Sequence, residues 1–210
     1  MCPYQQIWPA VLCIYFLPLR LLAEGVTRDY YLGIHNVDWN YAPLGKNAVT
    51  GQNIANDPIA SYFLQPAKDR IGGIYRKSIY KQYSDSTYMS EISKPAWLGF
   101  LGPIIRGEVG DTITVHLKNF ASRPFTIHPH GVFYTKDSEG ALYPDSSSED
   151  LKKDDAVPPG GNHTYTWTVP KDHGPTADDP ACLTWIYHSH INAPKDIASG
   201  LVGPLLICKE

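Results

Sequence analysis

From Thr27 onward the sequence is a succession of short runs in which apolar and polar residues alternate, each soon stopped by glycine, proline or a knot of aspartate and serine. Alternation with period two is the mark of a half-buried strand. With 18 Pro and 17 Gly in 210 residues, few windows are left in which a helical period survives three turns. Strands are therefore expected over residues 30–37, 112–117, 125–130, 165–169, 183–190 and 201–208. The breaks between them include Leu101-Gly102-Pro103, Tyr143-Pro144-Asp145, Val157-Pro158-Pro159-Gly160-Gly161 and Val202-Gly203-Pro204. Polar loops are expected over 84–94 and 145–155. This is the grammar of an all-β sandwich or barrel built on one core, and an aromatic content of 12% suits pleated surfaces. Gly-Pro-Ile-Ile at 102–105 and Gly-Pro-Leu-Leu at 203–206 echo each other but are too short to mark a duplicated domain.

The chain carries 18 Lys and Arg against 21 Asp and Glu, a formal charge of −3. It lacks the basic excess that displaces counterions from a polyphosphate, which excludes nucleic acid as a partner class. Ahead of the strands lies a nearly unbroken apolar run over 7–19, followed by Ala23-Glu24-Gly25. We read residues 1–25 as a signal peptide cut after Gly25 and residues 26–210 as one domain. The run is too short, and through Pro9 and Pro18 too broken, to cross a bilayer as a regular helix. Cys2 and Cys13 leave with the leader, so Cys182 and Cys208 remain, and an even pair in an exported chain implies one disulfide. Asn162-His163-Thr164 is a glycosylation sequon that agrees with export.

Four of the eight histidines fall into two His-x-His pairs, His128-Pro129-His130 and His188-Ser189-His190. Residues i and i+2 of an extended strand project from one face roughly 7 Å apart, so each pair is a two-pronged fork. On this register His188 and His190 continue the face of Thr184 and Ile186, opposite Leu183, Trp185, Tyr187 and Ser189. Imidazole suits copper, zinc, iron and nickel, whereas calcium and magnesium prefer oxygen, so the forks point to a transition metal. His35, His116, His163 and His173 stand alone and are assigned no function. The mature chain has no Gly-x-Ser-x-Gly, Walker loop or His-Glu-x-x-His, which removes the usual hydrolytic signatures. A cupin-like dioxygenase would want a Glu close behind its His-x-His, and the first Glu after His130 is Glu139.

The segments Thr126-Ile127-His128-Pro129-His130-Gly131-Val132-Phe133-Tyr134, Asp137-Ser138-Glu139-Gly140 through Tyr143-Pro144-Asp145, and Cys182-Leu183-Thr184-Trp185-Ile186-Tyr187-His188-Ser189-His190 into Ala193-Pro194-Lys195-Asp196 resemble the first cupredoxin domain of the animal multicopper ferroxidases. The likeness extends over nearly all of the mature chain. It implies a Greek-key β-barrel whose forks supply half the ligands of a trinuclear copper cluster, His128 to the type 2 copper and His130, His188 and His190 to the type 3 pair. The other half would come from the last of the parent's remaining cupredoxin domains. The parent would oxidise ferrous iron and reduce dioxygen to water, either secreted or held at the cell surface by a single span. Carbonyls of Lys136 and Leu151 with carboxylates of Asp154 and Asp155 match a calcium site of this family, and carbonyls of Phe63, Gly72 and Tyr75 a sodium site.

Two departures limit what this stretch does alone. Ser189 stands where a blue-copper centre needs a thiolate and Leu201 where a methionine is usual, so that centre is absent, and the partner histidines belong to another domain. The fragment is therefore expected to be inactive by itself. The rival readings are a non-enzymatic interaction module, like the related A domains of clotting factors V and VIII, and a secreted copper-binding short form. For the acidic loop at 145–155, the rival to calcium is a solvated turn.

Overall fold

The computed structural model describes residues 25–142 and 144–210; apart from Gly25, the expected leader lies outside the described residues. The strands are β1 (Thr27–Asn40), β2 (Ile74–Tyr83), β3 (Glu91–Ile92), β4 (Ile105–Glu108), β5 (Thr112–Asn119), β6 (His128–Pro129), β7 (Asn162–Thr168), β8 (Cys182–His188) and β9 (Val202–Cys208). Two short helices accompany them, α1 (Pro58–Leu64) between β1 and β2 and α2 (Ala193–Ser199) between β8 and β9. One sheet has the order β3-β2-β1-β5-β7 and the other β4-β9-β8-β6. Pairing is antiparallel except for β1 with β5 and β4 with β9.

Period-two patterning determines which side of each strand is covered. Along β5, Ile113, Val115 and Leu117 are buried while Thr112, Thr114, His116 and Lys118 are only partly covered. Tyr165 and Trp167 of β7 and Leu205 and Ile207 of β9 alternate in the same way. These faces meet Leu32, Ile34, Tyr80, Ile105, Ile127 and Tyr187 in one core shared by both sheets. Burying each large aliphatic side chain stabilises the fold by about 1.5–3 kcal/mol. The echoed Gly-Pro pairs also acquire a reason. A Cβ on Gly102 or Gly203 would lie 2.4 or 2.3 Å from the hydroxyl of Tyr187, which donates to the Pro103 carbonyl at 2.6 Å.

The expected strands at 30–37, 112–117, 165–169 and 201–208 are present with shifted ends, but the other elements differ. The stretch 125–130 is a strand only at His128–Pro129, with Phe125 bridged singly to Val157, because Pro129 has no N–H and the N–H of Thr126 goes to the Ser189 hydroxyl at 3.1 Å rather than to a ladder. Strand β8 stops at His188 instead of running to 190, and Thr184, Trp185 and Ile186 are all exposed, so the simple two-faced pattern fails there. Strands β2 and β4 lie outside the expected runs, and β3 pairs with β2 inside the stretch 84–94 expected as a loop. Arg76, Lys77 and Lys81 hide the apolar pattern of β2, yet Lys77 is 6% exposed, its ammonium donating to the Ala198 carbonyl at 2.7 Å over the rings of Tyr41 and Phe100. Cys182 and Cys208 face each other across β8 and β9 and are joined as the expected disulfide.

Candidate metal centre

Strand register brings the two forks together. His128 is the direct partner of His188 in the β6–β8 ladder, and the N–H of His130 continues it to the Ile186 carbonyl at 2.9 Å. The ring of His128 lies 5.2 Å from that of His130, 5.6 Å from His188 and 5.0 Å from His190. The His188 ring lies 5.1 Å from His130 and 5.4 Å from His190. All four side chains named from the sequence thus share one cluster, with rings turned closer together than the flat-strand spacing suggests.

Hydrogen bonds decide which ring nitrogen is free. Nδ1 of His128 donates to the Glu139 carbonyl at 2.6 Å, and Nδ1 of His188 to the Ser189 carbonyl at 3.0 Å. A carbonyl only accepts, so in both rings Nδ1 carries the proton and Nε2 keeps the lone pair. Nε2 of His130 and Nε2 of His188 then lie 3.0 Å apart with His130 as donor. Nδ1 of His190 is buried without a partner. Burial, reinforced by the like charges of the other three rings and opposed by the bond to Glu139, brings the His128 pKa down to about 4. Burial and its neighbours also lower His130. The four clustered imidazoles, with Nε2 of His128 and His188 left as acceptors by their carbonyl partners, are a donor set suited to a transition metal. Among the described residues no group of three or more His, Cys, Asp or Glu side chains already has the arrangement of a metal site.

The surroundings hold this set in place. Gly131 has φ of +75°, and a Cβ there would enter the indole of Trp185 at 2.3 Å, so the glycine lets the indole cover the backbone just past His130. Tyr134 stands edge-on to His128, its ring 5.7 Å away. Phe133, Trp185 and Ile186 are exposed. Where a blue-copper thiolate would lie, the Ser189 hydroxyl is fully buried and donates to Asp196, and Leu201 is likewise fully buried.

The acidic loop holds a second oriented group. Asp154 and Asp155 are 0% and 2% exposed. Oδ2 of Asp154 accepts the Gly140 N–H and Oδ1 of Asp155 the Lys136 ammonium, but Oδ1 of Asp154 and Oδ2 of Asp155 are buried without partners. Burial raises the Asp154 pKa against the pull of the Gly140 bond and Lys136. Lys136 and Leu151 lie on two 3-10 turns that pack together beside these carboxylates. Phe63 and Tyr75 line one recess with Tyr41 and Lys77, and the backbone of Gly72 presses on that of residues 64–66. Asn162 is exposed at the start of edge strand β7. The lone histidines lie apart from the cluster: His35 bonds the Tyr83 hydroxyl, His116 lies against Asp29 and Thr164, His163 bonds the Asp137 carbonyl, and His173 packs edge-on to Phe133. Sequence reasoning missed the Glu139 and Ser189 carbonyls, for which no side-chain signal exists, and left Asp196 without a role although it follows the second fork closely.

A family model for multicopper oxidases matches residues 97–210, more than half of the chain. The chain belongs to the multicopper oxidase family. It is 65% identical over 190 residues to hephaestin of Rattus norvegicus, covering 90% of this chain and 16% of the relative. Ferroxidase HEPHL1 of Homo sapiens is 58% identical over 208 residues, with 99% and 18% covered, and human ceruloplasmin 49% identical over 184 residues, with 87% and 17% covered. This multicopper oxidase chain thus spans less than a fifth of the length of the curated relatives it matches. Its fold also matches a multicopper oxidase from Pseudomonas thermotolerans, with TM-score 0.52 at 20% identity over 89% of this chain and 30% of the other. The multicopper oxidase mgLAC gives TM-score 0.50 at 20% identity, over 88% and 39%. The architecture is the expected cupredoxin-like β-barrel.

Proposed function

We propose that this chain is the first cupredoxin domain of a multicopper ferroxidase and provides half the ligands of a trinuclear copper cluster. The observation that carries the reading is the convergence of His128, His130, His188 and His190, with Nε2 of His128 and His188 left as lone pairs by their carbonyl partners. His128 holds the type 2 copper, and His130, His188 and His190 the type 3 pair. Copper, when bound, supplies the one-electron steps that link oxidation of ferrous iron to reduction of dioxygen to water. The chain's own contribution is to bind and orient. Glu139 and Ser189 set two rings through their carbonyls, and Trp185 fixes the backbone beyond His130. The last domain of the parent, carrying the remaining ligands, completes the shell.

In this reading the leader is removed after Gly25 during export. The nitrogen of Val26 already lies 2.9 Å from Oδ1 of the buried Asp111, so the new α-ammonium forms an ion pair there. The unpartnered oxygens of Asp154 and Asp155, with the carbonyls of Lys136 and Leu151, hold calcium. Phe63, Gly72 and Tyr75 hold sodium, and Asn162 carries a glycan outside the cell.

Titration of the chain with Cu(II), followed by electron paramagnetic resonance, tests the central claim. Changing each of the four histidines to Ala in turn lowers the bound copper or alters its spectrum. Binding that survives His128→Ala and His188→Ala unchanged refutes the assignment. The copper-loaded chain shows no sustained iron oxidation, because the ligand shell is incomplete; sustained turnover would overturn the division of the cluster between domains.

A further inference from the structure

Strand β6 is only two residues long, and a ladder that short is a weak guarantee of register. A second point of attachment lies just before the first fork, centred on three buried polar side chains. Oδ2 of Asp196 accepts the Ser189 hydroxyl at 2.8 Å and the Asn192 N–H at 3.2 Å. The Ser189 oxygen in turn accepts the N–H of Thr126 at 3.1 Å, and Oγ1 of Thr126 accepts the N–H of His190 at 2.9 Å. Asp196, Ser189 and Thr126 are 3%, 0% and 0% exposed. The linkage thus runs from α2, through the middle residue of the second fork, to the residue two before His128, and back to His190. Around it, the Ser189 N–H reaches the Leu201 carbonyl and the Leu201 N–H the Asp196 carbonyl, which closes the loop that carries α2. The function proposed above leaves this carboxylate without a part.

We propose that Asp196 is a positioning residue, which through Ser189 and Thr126 locks the two His-x-His segments in register and sets the four imidazoles before any metal arrives. The inference rests on the copper reading for its purpose but not for its geometry. A buried carboxylate whose oxygen is shared by a hydroxyl and an amide orders its donors, and the strong, charge-assisted bonds fix the hydroxyl so that its lone pair faces Thr126. With the hydroxyl removed, the Thr126 N–H is left buried without an acceptor, and the short β6 ladder alone must hold the first fork against the second.

The experiment compares Ser189→Ala, Asp196→Ala and Asp196→Asn with Ile113→Ala, a core truncation in β5 that lowers stability without touching this linkage. Two readouts are taken: Cu(II) affinity by competition titration, and ring-nitrogen chemical shifts of the metal-free chain. Ser189→Ala and Asp196→Ala weaken copper binding by about 10–100-fold, the usual effect of losing an orienting partner behind a ligand. They also move or broaden the resonances of the four clustered rings while those of His35 and His116 stay in place. Asp196→Asn keeps an acceptor oxygen for Ser189 and recovers most of both signals. Ile113→Ala lowers the melting temperature and changes neither. Should the Asp196 variants prove too unstable, Thr126→Val keeps the N–H and removes only the acceptor of His190, and it shifts the His190 ring. Unchanged affinity and unchanged ring resonances in Ser189→Ala and Thr126→Val overturn the proposal, while loss of copper in His128→Ala leaves the metal reading standing. Ring resonances that move in Ser189→Ala, with copper binding indifferent to His128→Ala, support the positioning role and sink the copper reading instead.

Discussion

Gly131 and Gly160 provide a matched pair for measuring what holds the cluster. Their φ angles are +75° and +78°, so an alanine at either meets the same left-handed backbone penalty, about 1–2 kcal/mol. Their surroundings differ. The added methyl at Gly160 meets nothing within 4 Å, whereas at Gly131 it falls 2.3–2.4 Å from three atoms of the Trp185 indole. Relieving that overlap means swinging an indole that is 38% exposed toward solvent, or shifting the backbone beside His130. Overpacking of this kind adds about 1–3 kcal/mol. Gly131→Ala should therefore lose about 1–3 kcal/mol more than Gly160→Ala, equivalent to a further fall in melting temperature of roughly 2–12 °C for a domain of this size. Urea unfolding of both variants measures the difference. Pairing Gly131→Ala with Trp185→Leu should recover most of it, as a coupling of at least about 1 kcal/mol in the double-mutant cycle. Because His130 precedes the glycine, Gly131→Ala should also weaken copper binding and Gly160→Ala should not. Equal losses at the two glycines, or strictly additive behaviour with Trp185→Leu, would refute the steric argument.

Replacing both Cys182 and Cys208 with Ser removes a link between residues 26 apart and should lower the unfolding free energy by about 3–4 kcal/mol on the chain-entropy model, seen by urea titration. Copper affinity should not change, since His188 lies at the opposite end of β8. Asp111 is buried, which favours its neutral form, but the Arg28 guanidinium and the N–H groups of Glu108 and Val26 outweigh this and hold its pKa below the ordinary value. The stability it adds is therefore full above the unfolded carboxylate pKa and is lost as the pH falls through the lower folded value. The deficit of Asp111→Asn should accordingly stay constant from pH 8 to 5 and close below about pH 4; a deficit unchanged at pH 2.5 would contradict the assignment. Calcium should raise the melting temperature, by the equivalent of about 2.7 kcal/mol at a hundredfold excess over its dissociation constant. Asp155→Ala should abolish that shift, and a shift that persists would remove the calcium site.

The forks were legible because a period of two is intrinsic to a strand, and one imidazole at i and another at i+2 need no tertiary information to share a face. That the forks meet depends on His128 pairing with His188, a contact between residues far apart in sequence that local pattern does not encode. Strand β2 escaped because pattern reading treats a lysine as exposed, whereas Lys77 buries its stem among aromatic rings and satisfies its ammonium on the last turn of α2. The shrinkage of the 125–130 strand was partly visible, since a proline in a strand always removes a ladder donor. The diversion of the Thr126 N–H to Ser189 was not, because it needs α2 and Asp196 already in place.

The same serine bears on how electrons would reach the cluster. A blue-copper site needs a Cys thiolate with two His and usually a weak Met, and here the position of that thiolate is a fully buried hydroxyl already committed as donor to Asp196 and acceptor from Thr126. Leu201, where a weak thioether ligand is usual, is fully buried and offers no lone pair. The hydroxyl that excludes an electron-entry site from this domain is thus the one that ties the two forks together. On the proposed reading the two facts belong together: a domain relieved of electron entry is free to use the centre of its second fork as a structural bolt. Ser189→Cys should accordingly bring no intense blue absorption on copper loading, because neither Leu201 nor Asp196 supplies the missing soft ligands, and it should loosen the forks as Ser189→Ala does. An intense blue band from that variant would show that the pocket retains a usable ligand set and that the separation of roles argued here is wrong.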